Sequence, residues 1–223
     1  MLKLMGMRAL IFDFDGTILD TETPEFLSWE KIYHQHDQIL PRNLWLSAIG
    51  VGPQDAKFNP YTHLEELVGT SLDHEKLRAQ RHKIFYRTLD DEPIRPGVTD
   101  WLEQASTNGL HIGLASSSPY DWVHGHLERL GLRSHFSAIY TSDHVERAKP
   151  HPELYEKTAA HFGVKPSACI AIEDSFNGVT AAKAAGCYCI ATPNPMTVTM
   201  DLSAADRIVL SLEEIRLAEL LEG

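Results

Sequence analysis

The sequence has few cysteines and no excess of basic residues. Its three cysteines, Cys169, Cys187 and Cys189, are an odd number in apolar surroundings, which favours buried reduced thiols over a disulfide framework or a zinc site. Lys and Arg total 20 against 31 Asp and Glu, a formal net charge of −11. Because binding to nucleic acid depends on cations that neutralise phosphates, we expect no nucleic-acid partner.

Long apolar runs are also missing. No run approaches the roughly 20 residues that a membrane-spanning helix needs. Residues 1–8 are too short, and charged residues follow them too closely, for a secretory signal. We therefore expect a cytoplasmic protein with no membrane contact. The composition, 43% apolar and 23% charged, is that of an ordinary globular protein, and we expect a monomer or weak dimer.

Short apolar runs alternate with helical patterns through the second half of the chain. The first run, Ala9–Phe12, ends in acidic residues and glycine, as a strand buried on both faces of a parallel sheet does. Further strands are predicted at 111–115, 138–140, 169–172, 187–191 and 207–210, and helices at 98–107, 120–130, 153–162, 178–185 and 212–221. This alternation predicts an α/β fold, a Rossmann-like parallel sheet core with helices on both faces.

Residues 21–93 break the alternation because helical patterns alone occur there, at 24–35, 44–49, 64–68 and 74–90. An insertion of this length is too large for a loop. We therefore expect a small all-helical domain inserted after the first strand, with residues 1–20 and 94–223 forming the core. The two connections between these domains would act as a hinge.

Acidic residues follow the first predicted strand, in the segment Asp13-Phe14-Asp15-Gly16-Thr17. Open α/β sheets bind their ligands at this end of the strands. Two carboxylates two positions apart repel each other unless a cation or a shared proton accompanies them. The alternative is that both are ordinary turn residues, since Asp and Gly are common in turns.

Three further predicted strand ends bring polar groups to the same edge. They are the Ser116 and Ser117 hydroxyls, the Lys149 ammonium, and the Glu173 and Asp174 carboxylates. Mg²⁺ takes one or two carboxylates together with waters and phosphate oxygens, and Asp13, Asp174 and the backbone carbonyl of Asp15 can supply such a set. The alternatives are that Ser116 or Asp174 caps the next helix and that Lys149 is an exposed loop charge.

These four segments, in this order, resemble the four motifs of the haloacid dehalogenase superfamily, in its phosphatase and β-phosphoglucomutase-like branch with a helical cap. The resemblance covers essentially the whole chain. It implies that Asp13 attacks phosphorus and carries an aspartyl-phosphate, and that Asp15 acts as general acid and then general base. Dehalogenation is the less favoured chemistry, because halide loss needs no metal whereas Asp15 is the residue that metal-dependent phosphoryl chemistry requires.

The resemblance also implies a phosphate site and a metal site. Ser116, Ser117 and Lys149 would bind the transferred phosphoryl group. Mg²⁺ would be held by Asp13, Asp15 and Asp174, with Glu173 supporting these ligands from behind.

The helical insertion offers candidate specificity residues. Gln54 and Lys57, in a loop at 49–57, would contact a sugar hydroxyl or a second anion, unless the segment is a plain interhelical connection. Glu22 starts a helix, where the helix dipole favours negative charge, and is a further candidate. The resembling β-phosphoglucomutases carry a His shortly after the Thr that follows the first motif, whereas here Thr21 precedes Glu22-Thr23-Pro24-Glu25.

Without that His, hydrolysis by water is favoured over phosphoryl return to a substrate. We expect a Mg²⁺-dependent phosphatase that acts on a small phosphorylated metabolite such as a sugar phosphate. A phosphomutase is the alternative, and a non-catalytic phosphate-sensing regulator, phosphorylated on Asp13 as a signal, is a third possibility.

Overall fold

A computed structural model describes residue 4, residues 6–50 and residues 57–221. Within these residues one six-stranded sheet has the order β3-β2-β1-β4-β5-β6, and all neighbouring strands are parallel. The strands are β1 (Ala9–Phe12), β2 (His111–Ala115), β3 (Ala138–Tyr140), β4 (Cys169–Glu173), β5 (Tyr188–Ala191) and β6 (Arg207–Ile208). The predicted α/β fold is confirmed.

Helices cover both faces of this sheet and fill the insertion after β1. They are α1 (Glu22–His34), α2 (Arg42–Leu46), α3 (Pro60–Val68), α4 (His74–Leu89), α5 (Val98–Thr107), α6 (Tyr120–Arg129), α7 (Glu153–His161), α8 (Phe176–Ala185) and α9 (Leu217–Leu221). No helix in the described part of the chain is long and apolar enough to cross a membrane.

The prediction of one continuous helix at 212–221 is wrong. The structure has a 3-10 turn, Leu212–Glu214, followed by extended backbone at Ile215 (φ −141°, ψ 141°) and then α9. The indole N–H of Trp101 donates to the carbonyls of Leu212 and Ile215 at 3.0 and 3.1 Å. Because these carbonyls are acceptors that a continuous helix would use, a tertiary contact overrides the helical pattern.

The sheet is buried on both faces, as its apolar strands predict. Leu10 and Phe12 of β1 point to one cluster, which includes residues of α5, α6 and α9. Ala9 and Ile11 point to the other cluster, which includes residues of α7 and α8. All three cysteines are buried and free.

Helices α1 to α4 pack around a third hydrophobic cluster, which Met196, from the segment after β5, also joins. It contains Trp29 and Tyr33 of α1, Leu64 of α3 and Leu77 of α4. The helix predicted at 64–68 begins earlier, at Pro60, because the side chain of Asn59 accepts hydrogen bonds from the first amides of the helix and proline suits its first position.

The two connections between these helices and the sheet run side by side. Leu19 forms an isolated antiparallel bridge with Ile94. The amide of Arg95 donates to the carbonyl of Ile18 at 2.9 Å. The helical insertion therefore leaves and re-enters the sheet region at one place.

Candidate active site

The carboxyl ends of three central strands gather most of the predicted site residues. Asp13 follows β1, Ser116 follows β2 and Asp174 follows β4, and the register of these strands makes their ends level. Each of the three side chains is buried, and all three line one cavity. The structure thus brings together groups from distant parts of the chain.

Lys149 joins this group as a buried ammonium. Its Nζ lies 2.5 Å from Asp13 Oδ1 and 2.6 Å from Glu173 Oε1, and the hydroxyl of Tyr155 donates to the same Glu173 oxygen. Burial alone would lower the pKa of Lys149, but the two carboxylates outweigh it and raise that pKa. Lys149 is only 1% exposed, so the alternative of an exposed loop charge is wrong.

Three buried carboxylates surround that single ammonium. Asp13, Glu173 and Asp174 each offer an oxygen within 4.8 Å of the others, and in the described residues no other group of three His, Cys, Asp or Glu is placed to hold a metal. Burial, followed by repulsion from neighbouring carboxylates, raises the pKa of Asp174 well above its ordinary value. Burial likewise raises the pKa of Asp13, against the effect of Lys149.

This donor set fits a hard divalent cation. Carboxylate and carbonyl oxygens are the ligands such cations prefer. Burial and then mutual repulsion raise the pKa values of these acids, and a bound cation would favour their charged forms. Burial also raises the pKa of Glu173, to about 7, although the Lys149 ammonium opposes the shift.

Asp174 is held in place by two neutral donors that the sequence analysis did not identify. Thr17 Oγ1 donates to its Oδ1 at 3.4 Å, and Asn194 Nδ2 donates to its Oδ2 at 2.8 Å. The alternative that Asp174 caps the following helix is wrong, because Ser175 occupies that position and accepts from the amide of Gly178 at 3.2 Å.

Gly16 explains how tightly the first loop packs on this carboxylate. Its φ of +80° lies in the left-handed region, and an added Cβ would stand 2.3 Å from Asp174 Oδ2. Arg95, at the other end of the helical insertion, donates to the Gly16 carbonyl at 2.5 Å and to the Thr192 carbonyl at 2.8 Å. The loops after β1 and β5 are therefore fixed against each other.

Asp15 is surrounded by four donors. Oδ1 accepts from Trp122 Nε1 at 2.8 Å and from Thr21 Oγ1 at 3.0 Å. Oδ2 accepts from Ser118 Oγ at 2.6 Å and from Ser116 Oγ at 3.4 Å. Of these partners only Ser116 was predicted as a site residue; the indole of Trp122 reaches the site from α6, and no motif marks it.

The two predicted serines have different partners. Ser116 Oγ accepts from the amide of Ser118 at 3.0 Å, whereas α6 begins after Pro119 without a side-chain cap, so the alternative that Ser116 caps this helix is wrong. Ser117 Oγ donates to the carbonyl of Gly50 at 3.3 Å, which links the sheet edge to the helical insertion.

A cavity of about 590 Å³ separates the sheet edge from helices α1 to α4. Beside the acids its walls are largely aromatic, with Trp29, Trp45, Phe58, Tyr61, Phe85 and Trp122 among the lining residues. Glu25 and Arg81 also line it and pair at 2.7 Å. The arrangement presents apolar faces with a few charged groups to whatever part of a ligand lies beyond the acids.

The candidate specificity residues have three different outcomes. Glu22 lines the cavity, and burial, then the charges of Asp174 and Asp15, raises its pKa well above the ordinary value. Lys57 is exposed and does not line the cavity, so the structure does not bring it to the site. Gln54 lies outside the described residues.

Residues 7–186 match the family model of the haloacid dehalogenase-like hydrolases. The chain belongs to this family. The resemblance stated from the motifs and the hydrolase class expected from it are confirmed. Family membership also sets aside the reading of the chain as a non-catalytic regulator.

Relatives within the haloacid dehalogenase-like hydrolases match the chain over most of their length. The chain is 46% identical over 216 residues to "Putative phosphatase YhcW" of Bacillus subtilis, with 97% of each chain covered. It is 32% identical over 193 residues to "Beta-phosphoglucomutase" of Bacillus subtilis, covering 82% of each. It is 31% identical over 182 residues to "Phosphorylated carbohydrates phosphatase" of Thermotoga maritima, covering 81% of this chain and 82% of the relative.

Proposed function

We propose that the chain is a Mg²⁺-dependent phosphatase that hydrolyses a small phosphorylated carbohydrate through an aspartyl-phosphate on Asp13. The observation that carries this proposal is the setting of the Asp13 carboxylate. It stands at the end of the central strand, on the cavity wall, 2.5 Å from the Lys149 ammonium and beside the Asp174 carboxylate. The names of the phosphatase relatives support the reaction class.

In the first step a carboxylate oxygen of Asp13 forms a bond to phosphorus while the ester P–O bond breaks. Lys149 offsets the negative charge that gathers on the phosphoryl oxygens, and the Ser116 hydroxyl orients them. Mg²⁺, held by Asp13, Asp174 and the backbone carbonyl of Asp15, would supply further neutralisation of those oxygens when bound.

Asp15 serves the two proton transfers of the cycle. It donates a proton to the leaving alcohol in the first step. In the second step it takes a proton from the water whose oxygen attacks phosphorus, and the bond between phosphorus and Asp13 breaks. The result is inorganic phosphate and the free Asp13 carboxylate.

Residues 21–93 act in this proposal as a cap domain over a core of residues 1–20 and 94–223. The hydrophobic cluster formed mainly by α1 to α4, and the cavity between these helices and the sheet edge, support this division. The adjacent connections near Leu19 and Ile94 give a place for a hinge. Closure would exclude water and bring Glu22 against the hydroxyls of the leaving group.

A phosphomutase is the second candidate, favoured by the relative of that name. The sequence, however, lacks the histidine expected of a mutase. In that segment Glu25 lines the cavity and pairs with Arg81 of α4. Incubation with β-glucose 1-phosphate and a bisphosphate primer separates the candidates. Free phosphate is expected, and accumulation of glucose 6-phosphate instead would favour the mutase.

Phosphate release from a panel of phosphorylated metabolites tests the proposal directly. We expect Mg²⁺-dependent turnover of at least one sugar phosphate and a loss of at least about 10³-fold in Asp13→Asn, since removing a nucleophile costs at least this much. Asp100→Asn, on an exposed position of α5, is the matched control and retains the rate. Turnover that survives Asp13→Asn or a chelator would contradict the proposal.

A further inference from the structure

The proposed function assigns Asp15 two proton transfers, and its carboxylate needs a fixed orientation to perform them. Three of its four partners, Thr21, Ser116 and Ser118, are hydroxyls. A hydroxyl rotates and can either donate or accept, so these partners do not by themselves decide which carboxylate oxygen faces the reacting atoms.

The fourth partner differs in kind. The indole Nε1 of Trp122 lies 2.8 Å from Asp15 Oδ1, and an indole N–H can only donate. Oδ1 is therefore committed to accepting this hydrogen bond. Oδ2, which faces the hydroxyls of Ser118 and Ser116, is left as the oxygen available for proton exchange.

The ring of Trp122 is itself held on two sides. His126, one turn further along α6, meets it edge to face with ring centroids 4.1 Å apart. Phe85 of α4 lies against it at 5.9 Å and is 3% exposed. Because aromatic neighbours on two sides restrict the rotation of the indole, the N–H points at Asp15 as part of a packed wall.

We propose that Trp122 is a positioning residue that fixes the orientation of the Asp15 carboxylate, and that this single donor sets how efficiently Asp15 transfers protons. The proposal rests on the proposed function. It concerns the indole N–H, which is engaged by the Asp15 carboxylate, and not the face of the ring, which lines the cavity.

Trp122→Phe removes the N–H and keeps an aromatic ring against Phe85 and His126. We expect kcat to fall by about 10- to 100-fold, the size of effect produced by a misplaced catalytic group, with KM changed by less than about twofold. In an Asp15→Asn background the same substitution should lower the residual rate by less than about twofold, because the effect acts through Asp15.

Trp101→Phe is the matched control. It also deletes a buried indole donor, but the partners are the Leu212 and Ile215 carbonyls far from the cavity. We expect Trp101→Phe to lower the melting temperature and leave kcat unchanged. We expect Trp122→Phe to lower kcat and leave the melting temperature unchanged. A loss of kcat in Trp122→Phe that only parallels lost stability would overturn the assignment.

A spectroscopic measurement tests the contact without turnover. The chain has four tryptophans, and the indole cross-peak of Trp122 in a proton–nitrogen NMR spectrum is identified by its loss in Trp122→Phe. It should shift in Asp15→Asn, whereas the Trp101 cross-peak should not. An unmoved Trp122 cross-peak, or equal kcat losses in both backgrounds, would refute the role of Trp122. Absence of phosphatase activity in the wild-type protein would instead refute the proposed function.

Discussion

At the scale of single residues, the site is governed by an imbalance of buried charge. Asp13, Glu173 and Asp174 are carboxylates with raised pKa values, and Lys149 is the ammonium that contacts two of them. A buried charge that loses its partner is costly. The ammonium is therefore needed both for the fold and for the phosphoryl chemistry proposed for the site.

Replacement of Lys149 by methionine should expose this dependence. We expect Lys149→Met to lower the free energy of unfolding by about 3–5 kcal/mol, as for other broken buried pairs, and to abolish phosphate release. Lys157→Met is the control: Lys157 is 42% exposed and pairs with Glu153 on the surface, where a pair contributes at most about 1 kcal/mol. Denaturant unfolding that shows equal losses in the two variants would contradict this account.

At the scale of elements, short motifs identify the site and tertiary packing completes it. Asp13, Asp15, Lys149 and Asp174 were predicted from sequence motifs to meet at one edge of the sheet, and the structure brings them to one cavity. Trp122 and Asn194 were not predicted, because each belongs to an ordinary-looking segment and reaches the site only through the packing of that segment. The split of the helix predicted at 212–221 has the same cause, since it depends on the distant Trp101.

Two helical glycines give a matched pair of predictions. An added Cβ at Gly178 in α8 would stand 1.8 Å from Glu173 Oε2, whereas at Gly125 in α6 it meets nothing within 4 Å. We expect Gly178→Ala to displace the Glu173 carboxylate, to cost about 1–3 kcal/mol of stability and to reduce turnover. Gly125→Ala should instead stabilise the protein by about 0.5–1 kcal/mol through helix propensity. Thermal unfolding and phosphate release of both variants test this contrast.

The segment that leads to Lys149 is anchored on the first turn of α7. A hydrogen bond from Lys157, together with the amides of Arg147 and Glu146, lowers the pKa of Glu153 from 4.5 to about 2. A pKa lowered by folding contributes stability that is present above the unfolded pKa and is lost as the pH falls through the folded pKa.

We therefore expect the difference in unfolding free energy between the wild type and Glu153→Gln to be largest above pH 4.5 and to shrink towards pH 2. Urea unfolding at a series of pH values gives this difference. A difference that stays constant across the window would show that the Glu153 charge does not anchor the segment.

At the scale of the whole molecule, the sheet and the helical insertion share the cavity in which the chemistry is proposed. The sequence predicted the sheet, the inserted helices and the edge where the acids meet, because strand periodicity and strand-end motifs are local signals. It did not predict that aromatic side chains of the helices form the cavity wall opposite the acids, since that depends on how separate elements pack.

Binding of Mg²⁺ should stabilise the whole chain. A cation that binds only the folded protein raises the free energy of unfolding, by about 2.7 kcal/mol at 100 times its dissociation constant. We expect the melting temperature to rise with Mg²⁺ and the rise to be largely lost in Asp174→Asn, which removes one carboxylate of the buried acidic group. An equal rise in the melting temperatures of the wild type and Asp174→Asn would show that the cation binds at another site.

The central claim is that Asp13 takes the phosphoryl group, and trapping the phosphoenzyme tests it most directly. Asp15→Asn lacks both the proposed general acid and the proposed general base, so the phosphoryl donor should be one whose leaving group needs no proton, such as acetyl phosphate. With this substrate and Mg²⁺ the aspartyl-phosphate should form, break down slowly and accumulate. Acid quenching and peptide mass spectrometry should then find one phosphoryl group on the peptide that contains Asp13, and none when Asp13→Asn is added. A phosphoryl group on another residue, or none at all while the wild type releases phosphate, would contradict the account.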